Sequence, residues 1–137
     1  NLGGNVRAYA QKPDGSEWSS LIEDPFESGK DGYCSPISVS ERSLVTSGSY
    51  QRYYTVDGKN YSHIINKDDG MPPELFVSVS VISPWGSSGT ADALSTALFC
   101  MTLEEGRSLI ESLDGFEALW IFPDGSTEET EGFGGTK

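Results

Sequence analysis

LFVSVSVI, residues 75–82, is the most strand-like run of the chain and decides where its sheet must lie. Its valines and serines alternate, and its β-branched residues favour an extended backbone. Shortly afterwards TADALSTALF, residues 90–99, shows the apolar spacing of a helix, which we expect from Thr90 to about Met101. A helix that enters this late, after a series of strands, indicates the α+β class.

A β-hairpin is predicted upstream of that run. Asp57 and Gly58 both tolerate the positive φ angles of a tight turn, so residues 50–56 and 59–65 should pair antiparallel. Turn residues separate further strand-like segments from one another. These other predicted strands are residues 6–10, 18–25, 37–42, 43–48, 116–122 and 127–133.

A second helix follows the first. Thr102 and Glu105 have the spacing of a capping box, and the helix should continue to about Leu113. The last strand, residues 127–133, is polar and suits the edge of a sheet. The chain of 137 residues therefore predicts one α+β domain, a mostly antiparallel sheet with two late helices.

The charge of the chain limits its partners. Lys and Arg total 9 and Asp and Glu total 21, which gives a net charge of −12. Such a surface repels phosphate backbones, so binding to nucleic acid by simple electrostatics is disfavoured. Solubility is the ordinary explanation for the acidic residues. No apolar run approaches the roughly 20 residues that a membrane-spanning helix needs.

The two cysteines are too few for a disulfide framework. Cys100 falls in an apolar helix and is expected to be a buried thiol. Cys34 lies in a Gly- and Ser-rich loop, where its disulfide status stays open. No spacing of Cys and His residues suggests a zinc site.

The predicted helix carries an unexpected polar stripe, because Asp92, Ser95, Thr96 and Phe99 share one face. We expect this helix to be largely buried, and a buried carboxylate needs a partner. Asp92 can lie in the first turn, where the helix dipole favours negative charge. Ser95 and Thr96 can donate to helix carbonyls. Alternatively Asp92 and Thr96 face a hard cation such as Mg²⁺, which prefers carboxylate and hydroxyl oxygens.

Five segments in a fixed order carry a family resemblance. They are NLGGNVRA (1–8), the Trp18-to-Pro25 segment, TSGSYQRYY (46–54), HII (63–65) and ADALSTALF (91–99). Each is weak alone, but in this succession the chain closely resembles the C-terminal half of the ApbE family, the FAD:protein FMN transferases. The resemblance implies an α+β fold similar to the T-fold. It also implies that residues 1–137 are the C-terminal part of a single flavin transferase domain whose N-terminal half is absent.

The resemblance also implies a chemistry. Members of the family use Mg²⁺ and FAD to attach FMN, through its phosphate, to a Ser or Thr of an acceptor flavoprotein. By this similarity Asp92 and Thr96 are metal ligands, and His63 is the base that takes the acceptor hydroxyl proton. A hairpin-end histidine that bonds only locally is the alternative. Ile65 begins the backbone that contacts the flavin nucleotide, and glycines 3 and 4 allow close backbone approach.

Two departures from the family pattern bear on activity. Asn66 and Lys67 stand where the family usually has Asp and Pro, so the loop of residues 66–69 is expected to be less rigid and to contact nucleotide differently. Asp68 and Asp69 supply carboxylates shortly after the position where the family has Asp, but in a different geometry. The family's N-terminal half, which supplies most FAD contacts, does not precede residue 1. The resemblance places such proteins at the outer side of the cytoplasmic membrane, in the periplasm or outside the cell, often through a lipid anchor.

Three functions follow from these features. The first is a divergent flavin transferase that serves an electron-transfer system. The second is a non-catalytic FAD-binding module of the same fold, in which the changed 66–69 loop has removed catalysis. The third is a structural or interaction domain whose acidic face contacts a basic partner and whose stability does not depend on Mg²⁺. The acceptor protein and the oligomeric state do not follow from the sequence.

Overall fold

The computed structural model describes residue 1, residues 3–26 and residues 36–134. Within these residues, seven strands precede two consecutive helices and two further strands follow, and this segregation is what the α+β class predicts. In chain order they are β1 (Asn5–Arg7), β2 (Ser19–Ser20), β3 (Ile37–Ser38), β4 (Arg42–Gly48), β5 (Tyr53–Val56), β6 (Lys59–Ser62), β7 (Ser78–Pro84), α1 (Ser88–Phe99), α2 (Leu103–Glu111), β8 (Glu117–Ile121) and β9 (Thr127–Glu129).

The main sheet has five antiparallel strands in the order β1-β4-β7-β8-β9. The strand predicted from residues 75–82 is the central β7, and it is buried from Ser78 to Ser83. Its alternation has a structural reason. Val79 and Val81 face the core beneath the helices, whereas Ile82 belongs to the core on the opposite face of the sheet. The polar strand β9 is at the sheet edge, as predicted.

A hydrophobic core covers each face of the main sheet. The first includes Val45, Phe76, Leu98, Phe99 and Trp120 and joins the helices to β4, β7 and β8. The second lies under the two-stranded β2–β3 sheet. Its buried members are Ile22, Ile37, Val39, Leu44, Ile82, Leu119, Ile121 and Phe133. This double cover holds β4 and α1, which carry the candidate site, against a fixed scaffold.

The predicted hairpin is confirmed. β5 and β6 pair antiparallel from the pair Tyr53 and Ser62 to the pair Val56 and Lys59. Asp57 has φ 49° and Gly58 has φ 79°, as a two-residue turn with positive φ at both central positions requires. The hairpin forms its own two-stranded sheet, separate from the main one.

The second helix matches its prediction closely. Thr102 accepts from the Glu105 amide, and the Glu105 carboxylate accepts from the Thr102 amide, so the capping box is complete. These reciprocal bonds satisfy two amides that a helix start leaves free. Gly106 faces the core, and a Cβ there would lie 3.1 Å from Leu98 Cδ2.

Some boundaries differ from the expectations. The predicted strand of residues 18–25 is reduced to Ser19–Ser20, because only these two residues pair with β3. Residues 6–10 likewise reduce to a short strand ending at Arg7, since Ala10 has φ 52° and turns the chain away. Neither helix of the described residues is long and apolar enough to cross a membrane.

The cysteine predictions have different outcomes. Cys100 ends α1 and is only partly buried, packing against the core beneath the helices. Partial burial raises the pKa of the Cys100 thiol, with a smaller contribution from Asp69. The prediction about Cys34 lies outside the described residues.

Candidate functional site

Three hydroxyl groups meet where the end of β4 contacts α1. Ser47 Oγ lies 2.8 Å from Ser95 Oγ and 3.2 Å from Thr96 Oγ1. Ser95 Oγ and Thr96 Oγ1 also donate to the Asp92 carbonyl, over 3.0 Å and 3.3 Å. We name Ser47, Asp92, Ser95 and Thr96 the α1 cluster. Ser95 is fully buried, whereas Asp92 and Thr96 are exposed.

The structure decides between two of the explanations for the polar stripe. The helix begins at Ser88, two residues before the expected Thr90, so Asp92 lies beyond the first turn and no acidic residue occupies that turn. The first-turn explanation is therefore wrong. The carbonyl-bonding explanation is confirmed for both Ser95 and Thr96.

The expectation of a largely buried α1 is also wrong. Ala91, Ser95, Leu98 and Phe99 are buried, but the side that carries Asp92 and Thr96 faces outward. Only one side of the helix packs on β4 and β7. Its other side includes short alanine side chains. This exposure leaves the Asp92 carboxylate and the Thr96 hydroxyl accessible to a ligand from outside the described fold.

These two side chains have the chemistry that Mg²⁺ requires. A carboxylate and a hydroxyl one helical turn apart are hard oxygen donors, and Mg²⁺ accepts few protein ligands because it keeps waters and phosphate oxygens. Among the described residues, no Lys or Arg forms an ion pair with Asp92. Those residues also contain no group of three or more His, Cys, Asp or Glu side chains suited to a metal. Asp92 and Thr96 therefore fit part of a magnesium coordination sphere.

His63 lies just after β6, at the open end of the hairpin, and is exposed. Its Nδ1 is 3.1 Å from the Arg52 carbonyl, and its amide donates to the same carbonyl. In the neutral tautomer that carries its proton on Nδ1, this nitrogen donates to the carbonyl and Nε2 can act as an acceptor. The local hydrogen bonding that was the alternative is thus present. The base role stays a prediction, since no hydrogen bond joins His63 to the α1 cluster.

Ile65 projects outward, with half of its side chain exposed, whereas the preceding Ile64 is buried. The loop after it is closed by short-range bonds. Asn66 Oδ1 accepts from the Asp68 amide, and the Asn66 carbonyl accepts from the Gly70 amide. Asp69 Oδ1 accepts from the Met71 amide. The residues that depart from the family pattern thus build a turn of their own, and its expected lower rigidity stays a prediction.

Backbone glycines bring two segments close to the α1 cluster. Gly4 has φ 92°, and its carbonyl accepts from the Thr46 amide, next to Ser47. A Cβ at Gly4 would lie 3.3 Å from the Thr46 carbonyl oxygen, so glycine permits this approach, whereas a Cβ at Gly3 would meet nothing within 4 Å. Gly48, in turn, lies against the ring of Tyr50.

Sequence reasoning did not find a large open cavity of about 770 Å³ beside the hairpin. Its lining includes three tyrosines and four acidic residues, which are Tyr50, Tyr53, Tyr61, Glu23, Asp24, Asp69 and Glu74. Burial raises the pKa of the Tyr50 hydroxyl, and Glu23 adds to this effect. The tyrosines of residues 50–61 were the available sequence signal for this cavity, but the Asp57–Gly58 turn predicted only a hairpin there.

Comparison with known proteins identifies the family to which this chain belongs. A profile described as the ApbE family matches residues 1–120. The chain belongs to the ApbE family. A relative named FAD:protein FMN transferase from Treponema pallidum (strain Nichols) is 38% identical over 133 residues, which cover 90% of this chain and 36% of the relative.

Solved structures agree with the α+β prediction. The ApbE protein of Thermotoga maritima superposes with a TM-score of 0.79 at 34% identity, covering 94% of this chain and 41% of that one. The flavinyl transferase ApbE of Pseudomonas stutzeri, in its apo form, gives a TM-score of 0.73 at 30% identity, covering all of this chain and 43% of that one. The chain therefore spans well under half the length of these proteins.

Proposed function

We propose that this chain is the C-terminal part of an Mg²⁺-dependent FAD:protein FMN transferase. The observation that carries the proposal is the pair of accessible oxygen donors, Asp92 and Thr96, one turn apart on α1 in a chain of this family. The name of the Treponema pallidum relative supports FAD as the substrate and a protein as the acceptor. That relative is about three times as long, which supports a larger protein around this segment.

In the proposed reaction a Ser or Thr hydroxyl of the acceptor attacks the FMN phosphorus of FAD. The new P–O bond forms as the bond to the bridging oxygen breaks, and AMP departs with that oxygen and its electron pair. Asp92 and Thr96 would hold the Mg²⁺, which when bound neutralises charge on the diphosphate. His63 Nε2 would accept the proton of the attacking hydroxyl. Ile65 and the turn after it would contact the flavin nucleotide through their backbone.

The acceptor is proposed to be a flavoprotein of an electron-transfer system. The proposed location is the outer side of the cytoplasmic membrane, with a lipid anchor supplied outside this segment. Both proposals rest on the family resemblance. The net charge of −12 does not favour nucleic acid as a partner.

A non-catalytic FAD-binding module is the second candidate, and the turn at residues 66–71 is the observation that favours it. Asn66 uses its side chain to bond the Asp68 amide, so this atom is committed within the turn. An aspartate at that position could accept the same bond with one oxygen and keep its second, charged oxygen for nucleotide or acceptor contacts, whereas the second group of Asn66 is an uncharged NH2 donor. Retention of FAD without any covalent FMN product would support this candidate over the transferase.

The test is FMN transfer by the full-length protein to an acceptor peptide, with FAD and Mg²⁺, followed by mass spectrometry. Loss of a metal ligand should lower transfer by about 100-fold or more, so we expect that for Asp92→Ala. Glu104→Ala is the matched control, because Glu104 is also an exposed helical carboxylate but lies on α2. Full activity of the Asp92→Ala protein would refute the metal-binding role.

A further inference from the structure

The α1 cluster contains a hydroxyl that the family resemblance does not assign. Ser47 lies on β4, and it contacts both Ser95 and Thr96 across the interface between sheet and helix. Its register partner on β7 is Val79, which is fully buried. Ser47 is therefore fixed by the central strands of the sheet, whereas Asp92 and Thr96 are fixed by the helix.

Counting protons assigns a direction to these hydrogen bonds. Each hydroxyl has one proton to donate and two lone pairs that accept. Ser95 Oγ donates to the Asp92 carbonyl at 3.0 Å, so in its 2.8 Å contact with Ser47 it must accept. Ser47 therefore donates its only hydroxyl proton to Ser95. In its 3.2 Å contact with Thr96, Ser47 can therefore only accept, and Thr96 shares its one proton between Ser47 and the Asp92 carbonyl.

The Thr96 hydroxyl has two contacts of similar length, 3.2 Å to Ser47 Oγ and 3.3 Å to the Asp92 carbonyl, so both can act as acceptors of its one proton. In this arrangement each of the three hydroxyls donates its proton within the protein, and Thr96 receives no hydrogen bond from Ser47.

We propose that Ser47 is a positioning residue that, together with the Asp92 carbonyl, holds the Thr96 proton and leaves both Thr96 lone pairs free for a cation beside the Asp92 side chain. The inference rests on the proposed function, since it concerns the same metal. A hydroxyl binds Mg²⁺ through its oxygen lone pairs, so its proton must point away from the ion. Ser47 provides a second acceptor for that proton besides the Asp92 carbonyl, and its strand in the main sheet holds it there.

A second hydroxyl pair on the same strands gives an internal comparison. Thr46 Oγ1 and Ser80 Oγ are 2.8 Å apart, the same distance as in the pair Ser47 and Ser95. Thr46 and Ser47 are neighbours on β4 and point to opposite faces of the sheet. The Thr46–Ser80 pair has no bond to α1, so its loss tests the sheet alone.

The experiment measures the affinity of Mg²⁺ for the FAD-loaded full-length protein by isothermal titration calorimetry. We expect Ser47→Ala to weaken Mg²⁺ binding about 10-fold, as for other groups that orient a metal ligand. Ser80→Ala removes the same hydroxyl from a pair of the same length and should change the affinity less than about twofold. Ser47→Thr keeps the hydroxyl and should restore the wild-type affinity.

Three results would overturn the proposal: wild-type affinity in the Ser47→Ala protein, an equal loss in the Ser80→Ala protein, or no rescue by threonine. If Ser47→Ala fails to fold, Ser47→Cys keeps the side-chain size with a weak acceptor and should show the same loss. Asp92→Ala separates this inference from the proposed function. Loss of Mg²⁺ binding in Asp92→Ala but not in Ser47→Ala refutes only the role of Ser47. Unchanged binding in both, or none in the wild type, refutes the metal site itself.

Discussion

Gly48 lies directly against the ring of Tyr50, so a Cβ at residue 48 would stand 2.5 Å from Tyr50 Cε1. The contact occurs at the end of β4, next to Ser47 and at the wall of the large cavity. Gly48 thus sets the position of an aromatic ring without any special φ angle of its own.

Gly48→Ala should therefore destabilise the protein by about 1–3 kcal/mol, because the Tyr50 ring must move from a packed position. The free energy of unfolding in urea measures the change. Gly89→Ala is the matched control, since Gly89 lies in α1 and a Cβ there meets nothing within 4 Å. Alanine there should leave stability unchanged or raise it by up to about 1 kcal/mol. Equal stability of Gly48→Ala and wild type would refute the packing argument.

The physical reason differs at Gly58. A Cβ added there would meet nothing within 4 Å, but the backbone φ is 79°. Gly58→Ala should cost about 1–2 kcal/mol through backbone strain alone. Hydrogen exchange of the β5–β6 amides should rise in this variant, while exchange in β7 should not. Asp57→Asn should preserve the turn, since asparagine tolerates positive φ equally well. A rise in β7 exchange would contradict the independence of the hairpin.

The capping box makes stability depend on pH. Hydrogen bonds from the Thr102 amide, and then from its hydroxyl, lower the pKa of the Glu105 carboxyl below its usual value of 4.5. A lowered folded-state pKa stabilises the protein above pH 4.5 and loses that contribution as the pH falls through the folded value. Glu105→Gln cannot titrate, so the stability gap between wild type and this variant should narrow between pH 6 and pH 3. A constant gap across that window in urea titrations would exclude the effect.

His63 allows a prediction about the proposed reaction. His63→Gln should lower FMN transfer by about 100-fold, the size of a general-base contribution, and leave FAD affinity within about twofold. The Gln side chain can still donate to the Arg52 carbonyl, which preserves the hairpin end. Single-turnover transfer and FAD titration together separate the two effects. A variant that binds FAD weakly but transfers at the wild-type rate when saturated would assign His63 to binding alone.

Local chemistry explains which elements the sequence could predict. The Asp57–Gly58 turn and the Thr102–Glu105 box depend on residues within four positions of one another, and both have their predicted form. The start of α1 was misplaced by two residues, because Ser87 forms no side-chain cap that a pattern can reveal. Residues 18–25 were predicted too long because strand length depends on a partner strand distant in sequence.

The same distinction between local contacts and contacts distant in sequence applies to the candidate site. Asp92 and Thr96 could be proposed from helical spacing, because one turn brings them together. Ser47 could not, since its contact with Ser95 joins residues 48 positions apart, and no local pattern encodes it. The exposure of Asp92 was also missed, because an alanine-rich helix looks apolar on every side although only one side meets the sheet.

The separate hairpin sheet has an energetic consequence for any ligand that must touch both His63 and α1. No ladder hydrogen bond links β5 or β6 to the five-stranded sheet, so strand pairing does not oppose a motion of the hairpin against that sheet. A molecule that bridges them would restrict that motion and lose part of its binding energy to configurational entropy. The affinity of such a molecule should therefore rise when contact with a neighbouring protein surface already restricts the hairpin.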